Sequence, residues 1–282
     1  MQEEREPTAL QLVLKNKNVF YGMIFLTTIV IIAVVGPLFT KDPISLSPMT
    51  RLKPPGDFGL FGTDMLGRDV FSRVVNGGRV SLTVGLAVAI CAVVVGTFLG
   101  LIAGYIRTLD SIIMRVMDGL MAIPAILLAI AMISLSGASL VTVIAAIVIP
   151  EIPRVVRLVR SVVLTVREEP YVEAAISVGT PVHLIMHRHI LPNTIAALIV
   201  QATYICGSAM LTEAILGFLG AGIPPETPSW GNIMSEGRTY FQLTPWIIFF
   251  PGIALAITVL SVNIVGDGLR DTLDPRIARN LK

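Results

Sequence analysis

Charge is scarce in this chain. Asp, Glu, Lys and Arg make up 14% of its 282 residues, where soluble domains carry roughly 25%. More than half of the residues (54%) are hydrophobic and the mean hydropathy is +0.80, so a soluble globular domain is excluded and a bilayer protein implied. Cysteine is nearly absent. Cys91 and Cys206 each fall inside an apolar run. Two cysteines so placed are small apolar fillers and not a disulfide framework. No GxxxxGK[ST] string occurs, which excludes nucleotide hydrolysis by a phosphate loop. No internal repeat is visible. The first 18 residues are too long and too acidic for the basic start of a signal peptide, and the apolar run behind them is of spanning length. That run reads as an uncleaved first membrane helix.

What is present is a series of apolar runs. They predict an all-α membrane protein with six spans: Val19–Phe39, Val80–Ile106, Gly119–Leu135, a fourth starting at Leu140 whose apolar part ends near Ile149, Thr194–Leu216 and Pro245–Val265. Between the first two lies a loop rich in Pro, Gly and charge. The net charge of +2 says little, but its placement says more. With a cytoplasmic N-terminus, 14 of the 21 Lys and Arg residues fall on the cytoplasmic side. Most of the other seven lie in or beside the long first loop, where the positive-inside rule weakens. Both termini are therefore expected in the cytoplasm. In the second span Gly96, Gly100 and Gly104 stand every four residues. That spacing suits either a packing seam, within the bundle or against a partner chain, or the ordinary tolerance of membrane helices for Gly.

One polar segment interrupts the second half: EAAISVGTPVHLIMHRHILPN, residues 173–193, which holds all three histidines. Pro170 behind Glu168 and Glu169 reads as a helix start, and Gly179 as its C-terminal stop. Thr180-Pro181 opens a second short helix, and Pro192 ends or bends the chain into the fifth span. Ala174 and Ala175 beside Glu173 give a low-relief surface that fits a groove of another protein. His183 and His187 share a helix face, with His189 near. No Asp, Glu or Cys between 180 and 193 completes a metal site, so packing and hydrogen bonding are the stronger account. No Ser or Cys is placed for nucleophilic catalysis beside them.

Glu173-Ala174-Ala175, Gly179 and Ile190-Leu191-Pro192 resemble the EAA loop of ABC-importer membrane subunits. RHILPN is similar to the dipeptide, oligopeptide and nickel permease branch, where His189 replaces the more general Ile two positions before Leu-Pro. FGTDMLGRDVFSR at 61–73, GFLGAGIPPETPSWGNIM at 217–234 and NIVGDGLRDTLDPR at 263–276 agree with it. The resemblance implies the type I importer permease fold, in a C-type subunit of a bacterial or archaeal inner membrane. Its layout would be a cytoplasmic N-terminus (1–18), a first helix (19–39), an extracytoplasmic loop (40–78), a five-helix domain (79–268) with the coupling loop at about 167–192, and a cytoplasmic tail (269–282). It implies a paralogous second permease subunit, two ATPase subunits that bind ATP and Mg, and an extracytoplasmic binding protein. Membrane lipid surrounds the assembly, and no nucleic acid takes part. Glu173, Ala174, Ala175 and Gly179 inherit the helix that enters the ATPase groove; Ile190, Leu191 and Pro192 inherit its support. No residue of the chain is catalytic, and no cofactor or metal belongs to it. Peptides are the expected cargo, with nickel, an opine or a short sugar conjugate as alternatives of the same class. A rival of another class is an ion-coupled secondary transporter, which would want an inverted repeat and broken helices.

Other polar residues lie in or at the ends of the spans: Asp118, Glu151, Glu213 and Asn263. Charges at membrane depth face cavities or partners, so Glu213, Asp118 and Asn263 are candidates for a pathway or gate. For Glu213 a structural hydrogen bond beside the Gly-rich loop is the competing reading. The 61–73 stretch predicts a helix capped by Thr63, flat on the outer surface. Pro150 and Pro153 predict a bend in the fourth span.

Overall fold

The computed structural model describes residues 17–273. The chain builds ten helices among them: α1 (Lys17–Val35), α2 (Val70–Tyr105), α3 (Arg107–Ala122), α4 (Ala125–Ser136), α5 (Leu140–Val166), α6 (Pro170–Ser177), α7 (Val182–Ile185), α8 (Leu191–Phe218), α9 (Trp230–Arg238) and α10 (Trp246–Leu273). A π-turn, Met186–Ile190, joins α7 to α8. Among the described residues four helical stretches are long and apolar enough to cross a membrane, and a fifth is added if the bent pair α3–α4 counts as one span. The expected N-terminal segment 1–18 and tail 269–282 lie largely outside the described residues.

The central contact is a seam between α2 and α5. A Cβ placed on Gly96 would stand 2.5 Å from Val155 Cβ, one on Gly100 2.7 Å from Val159 Cβ, and one on Gly104 2.5 Å from Val163 Cβ. Glycine and valine thus advance together, four residues per step, so the two helices run parallel. Lipid tails are as apolar as Leu, and close backbone approach is what holds membrane helices together. This settles the doubled glycine spacing as a seam within the bundle. α3 is tied to α5 in the opposite sense: Asp110 receives Arg160 Nε and Nη2, the latter at 2.6 Å, and Asp118 accepts Arg157 Nη2 at 2.6 Å.

Three sequence expectations change. The third span does not run straight through Gly119–Leu135. α3 and α4 meet at an 88° bend, and Ile123 before Pro124 has extended backbone (φ −92°, ψ 127°). The proline ring disfavours α conformation in the residue before it, and here no close packing overrides that preference. α4 alone has 12 residues, about 18 Å of rise, too short for a hydrocarbon core of about 30 Å. In α5 the reverse holds: Pro150 and Pro153 sit inside one uninterrupted helix that runs on to Val166. Close packing on α2 holds it together there, since Val155 and Val159 are fully buried.

The third change is at 61–73. Thr63 caps no helix; its hydroxyl accepts the Lys53 N–H at 2.9 Å, and Thr63 pairs with Asp69 in an isolated bridge. Gly62 and Gly67 both adopt φ +75°, a left-handed conformation that breaks a helix and suits Gly. α2 instead begins at Val70, capped by the Asp69 carboxylate on Ser72 N at 3.0 Å. With 36 residues it rises about 54 Å, beyond what a bilayer core needs.

At this end of the bundle a buried ion network locks the loop to the rest. Arg73, 1% exposed, bonds Asp64 (1% exposed) at 2.8 Å and also Glu236 of α9. Arg68 bonds Asp64 at 2.6 Å and reaches Glu236 too. Trp230 of α9 is buried and donates its indole N–H to the Val74 carbonyl at 3.0 Å. The Pro-rich loop, the start of α2 and the 217–234 motif therefore form one unit.

Two outcomes follow. Gly100→Ala forces Val159 or the Val156 carbonyl to shift and lowers stability by about 1–3 kcal/mol, as overpacking does. Gly119→Ala, with open space around it, stays within about 0.5 kcal/mol; thermal unfolding in detergent checks the contrast. Asp64→Ala leaves Arg73 short of a buried partner and lowers stability by about 3–5 kcal/mol. Asp57→Ala, in the exposed part of the same loop, leaves the melting curve unmoved.

Candidate coupling segment and polar groups within the bundle

The 170–192 segment projects from the end of the bundle where α2 and α5 finish. Pro170 occupies the first turn of α6, whose missing N–H leaves no bond unmade there. Glu173 adds negative charge in that turn, as the helix dipole favours. The helix closes as the sequence predicts. Gly179 takes φ +78° and donates to the Ile176 carbonyl at 2.9 Å, while Thr180 N–H reaches back to Ala175 at 3.0 Å. Those two bonds form a Schellman motif, which needs a residue tolerant of positive φ.

One side of this segment is anchored. Val172, Ile185 and Ile190 are buried in the larger apolar core with Val163 and Val166 of α5. Arg167 donates to the Gly104 carbonyl at 3.3 Å, tying the approach to the end of α2. Asn193 donates to the His189 carbonyl at 2.6 Å and to the Tyr171 hydroxyl at 3.2 Å. Its other side is open. Glu173, Ala174 and Gly179 are exposed and Ala175 is half-buried. Ile176 is 49%, Val178 82% and Val182 46% exposed. These exposed apolar side chains, with Glu173 beside them, are spread over the end of α6, its C-terminal turn and the start of α7. Leu191 is half-buried and Pro192 exposed. Pro192 does not end the helical path: the π-turn before it includes Arg188, the residue whose carbonyl its missing N–H would have bonded, and absorbs the loss.

The three histidines separate. His183 and His187 are exposed, whereas His189 is half-buried with its ring 6.0 Å from that of Tyr171. Among the described residues no three His, Cys, Asp or Glu side chains gather as a metal group.

The polar residues nominated at membrane depth also occupy distinct settings. Glu213 is fully buried between α2, α8 and α9 and accepts from Ser81 Oγ at 3.0 Å. Ser81 in turn accepts from Trp230 N at 3.4 Å. One Glu213 oxygen, Oε1, has no partner among the described residues. Asp118 stands at the exposed ion pair with Arg157, where such pairs add little. Glu151 is buried and receives Arg154 of the same helix at 3.2 Å. Asn263 is exposed on α10, and its Oδ1 lies 3.3 Å from where a Gly207 Cβ would stand.

Sequence reasoning missed Val172, Ile185 and Asn193 as supports of the coupling segment, and the Asp64–Arg73–Glu236 network. Val172 and Ile185 carried a signal, as apolar residues in a polar stretch. The ion network carried none: Glu236 stands over 160 residues from Arg68 and Arg73, and a single sequence does not reveal such pairing.

Residues 96–279 match the family described as binding-protein-dependent transport system inner membrane component. The chain is 51% identical over 272 residues to the probable peptide ABC transporter permease protein y4tQ of Sinorhizobium fredii, covering 96% of this chain and 94% of that one. It is 44% identical over 265 residues to the dipeptide transport system permease protein DppC of Alkalihalophilus pseudofirmus, covering 93% and 87%. With the oligopeptide transport system permease protein OppC of Bacillus subtilis it shares 36% identity over 267 residues, covering 94% and 87%. A chain of the MetNI methionine ABC transporter in an inward facing conformation superposes with a TM-score of 0.57 at 21% identity, over 75% of this chain and 97% of that one. That likeness concerns the fold, a type I importer permease. An all-helical, multi-pass bundle with these matches belongs to the family of binding-protein-dependent transport system inner membrane components.

Proposed function

We propose that this chain forms half of the translocation path of a peptide importer and couples that path to ATPase subunits through α6. The observation that carries the coupling role is the exposed surface of Ile176, Val178 and Val182 with Glu173 at its edge, held rigidly by the buried Val172, Ile185 and Ile190. A compact apolar face rimmed by charge fits a groove in another protein. The di- and oligopeptide transporters named among the relatives support peptides as cargo.

In this reading the chain has six spans, α4 with α3 supplying one and the apolar part of α5 another, and both termini in the cytoplasm. Residues 79–268 form the transport domain, preceded by one added span and the extracytoplasmic loop 40–78. The partners are a paralogous permease subunit, two ATPase subunits and an extracytoplasmic binding protein. ATP and Mg are held by the ATPase subunits; the chain itself has no catalytic residue and no cofactor. Closure of the ATPase pair on ATP moves α6. The buried anchor then passes that movement to α5 and α8, and so to the seam with α2. Peptide enters from the binding protein while the path is open outward, and hydrolysis resets it. Glu173, Ala174, Ala175 and Gly179 make the docking contact; Ile190, Leu191 and Pro192 brace it.

Glu173→Ala and Gly179→Val test this in the full complex. Expected are weakened co-purification of the ATPase subunits and a fall in peptide uptake on the order of tenfold, the usual scale of a coupling energy. The permease pair should stay associated. Unchanged ATPase association together with unchanged uptake refutes the coupling role.

A further inference from the structure

One face of α8 carries a run of polar side chains at membrane depth. At 100° per residue, Gln201, Tyr204, Ser208 and Thr212 fall within an arc of about 80°. All four are half-buried or exposed, Tyr204 at 52%. Much of the rest of the helix is engaged in packing, and what else stays exposed, such as Ile195 and Ile199, is apolar. Leu198, Ile205, Ala209 and Leu216 enter the larger core, and Met210 and Ala214 the second core against α9 and α10. The Thr212 hydroxyl is spent on the Ser208 carbonyl at 2.9 Å. Gln201, Tyr204 and Ser208 have no side-chain hydrogen-bond partner among the described residues. The exposed face of α2 offers the comparison: Leu86, Ile90, Val94 and Phe98, four residues apart and wholly apolar, are what lipid accepts. Unpaired amides and hydroxyls facing hydrocarbon are costly, and within membranes they mark cavities or pathways.

We propose that this stripe, bordered by Asn263 of α10, lines the solute path and hydrogen-bonds the backbone amides of a passing peptide. The proposal rests on the peptide-importer reading above. The chemistry selects this occupant over the others. No carboxylate, imidazole or thiol lies on the arc, so it offers a bare divalent cation nothing of the kind such ions prefer. Each of its groups both donates and accepts, as the N–H and C=O of an extended chain require. Successive members rise about 5–6 Å along the helix, comparable to the roughly 6.8 Å between alternate residues of an extended peptide. Ile215 within the arc and Leu211 just beside it, 43% exposed each, offer apolar contact indifferent to side-chain identity. Neutral bonds to backbone combined with unspecific apolar contact would accept many peptides.

The test uses the complete transporter in proteoliposomes, with Cys91 and Cys206 replaced by Ala and single cysteines at Gln201, Tyr204 or Ser208. A charged, membrane-impermeant methanethiosulfonate should modify these at least about tenfold faster than Val94→Cys, in the nucleotide-free or the ATP-bound state. Tri-alanine should slow that modification and nickel ion should not. Gln201→Leu and Ser208→Ala should each lower tri-alanine uptake about two- to tenfold, the scale of one neutral hydrogen bond, with ATPase association unchanged. Modification no faster than at Val94 in both states assigns the stripe to a subunit contact and overturns the proposal. So does fast modification that tri-alanine leaves unaffected, or protection by nickel alone. If the unaltered complex imports neither Ala-Ala nor tri-alanine, the peptide reading itself fails, which uptake reports separately from labelling.

Discussion

The seam of Gly96, Gly100 and Gly104 against Val155, Val159 and Val163 is the constraint on which the rest of the architecture depends. In water two helices are driven together by burying apolar surface. In a bilayer that drive is missing, and association depends on how closely two backbones can approach. Three absent side chains allow that approach and set the register of α2 and α5 to the residue. From the register follows the placement of Arg167, four residues beyond Val163, at the Gly104 carbonyl. The helix that carries Glu173 starts immediately afterwards, so its exposed face is positioned by the contact between α2 and α5.

The two ends of the bundle are built on opposite physical terms. At the 61–73 end, charge is buried and paired: Asp64 and Glu236 close over Arg73 and Arg68. Such a network adds less stability than its geometry suggests, since its groups must be dehydrated, but removing one partner is severe. It therefore acts as a specification of which segments meet. At the 170–190 end, apolar side chains are left uncovered while their neighbours Val172, Ile185 and Ile190 are buried. That combination of a rigid base and an open apolar face is what the proposed docking role requires.

Between the ends, polar groups at membrane depth divide into two kinds. Glu213 and Ser81 are enclosed and bonded to each other, binding α8 to α2. Gln201, Tyr204 and Ser208 stand on the open arc of α8. Hydropathy treats the two kinds alike; only burial and partners tell them apart.

Apolar run length by itself determined much of this protein. The helical class, the spans at α1, α2, α8 and α10, the glycine stop at Gly179 and the small-residue spacing of α2 are local properties. Each follows from hydropathy over a bilayer-sized window or from the φ angle one residue can adopt. Tertiary structure decided the points where local signals conflict. Asp69, and not Thr63, caps α2, because Gly62 and Gly67 bend the intervening loop. Pro124 breaks its helix while Pro150 and Pro153 do not, because α5 is clamped along α2 and the α3–α4 junction lacks such a partner. The meeting of Asp64, Arg73 and Glu236, and the choice of which face of α8 stays uncovered, depend on residues distant in the chain. No window of sequence contains that information, since packing in three dimensions is what creates it.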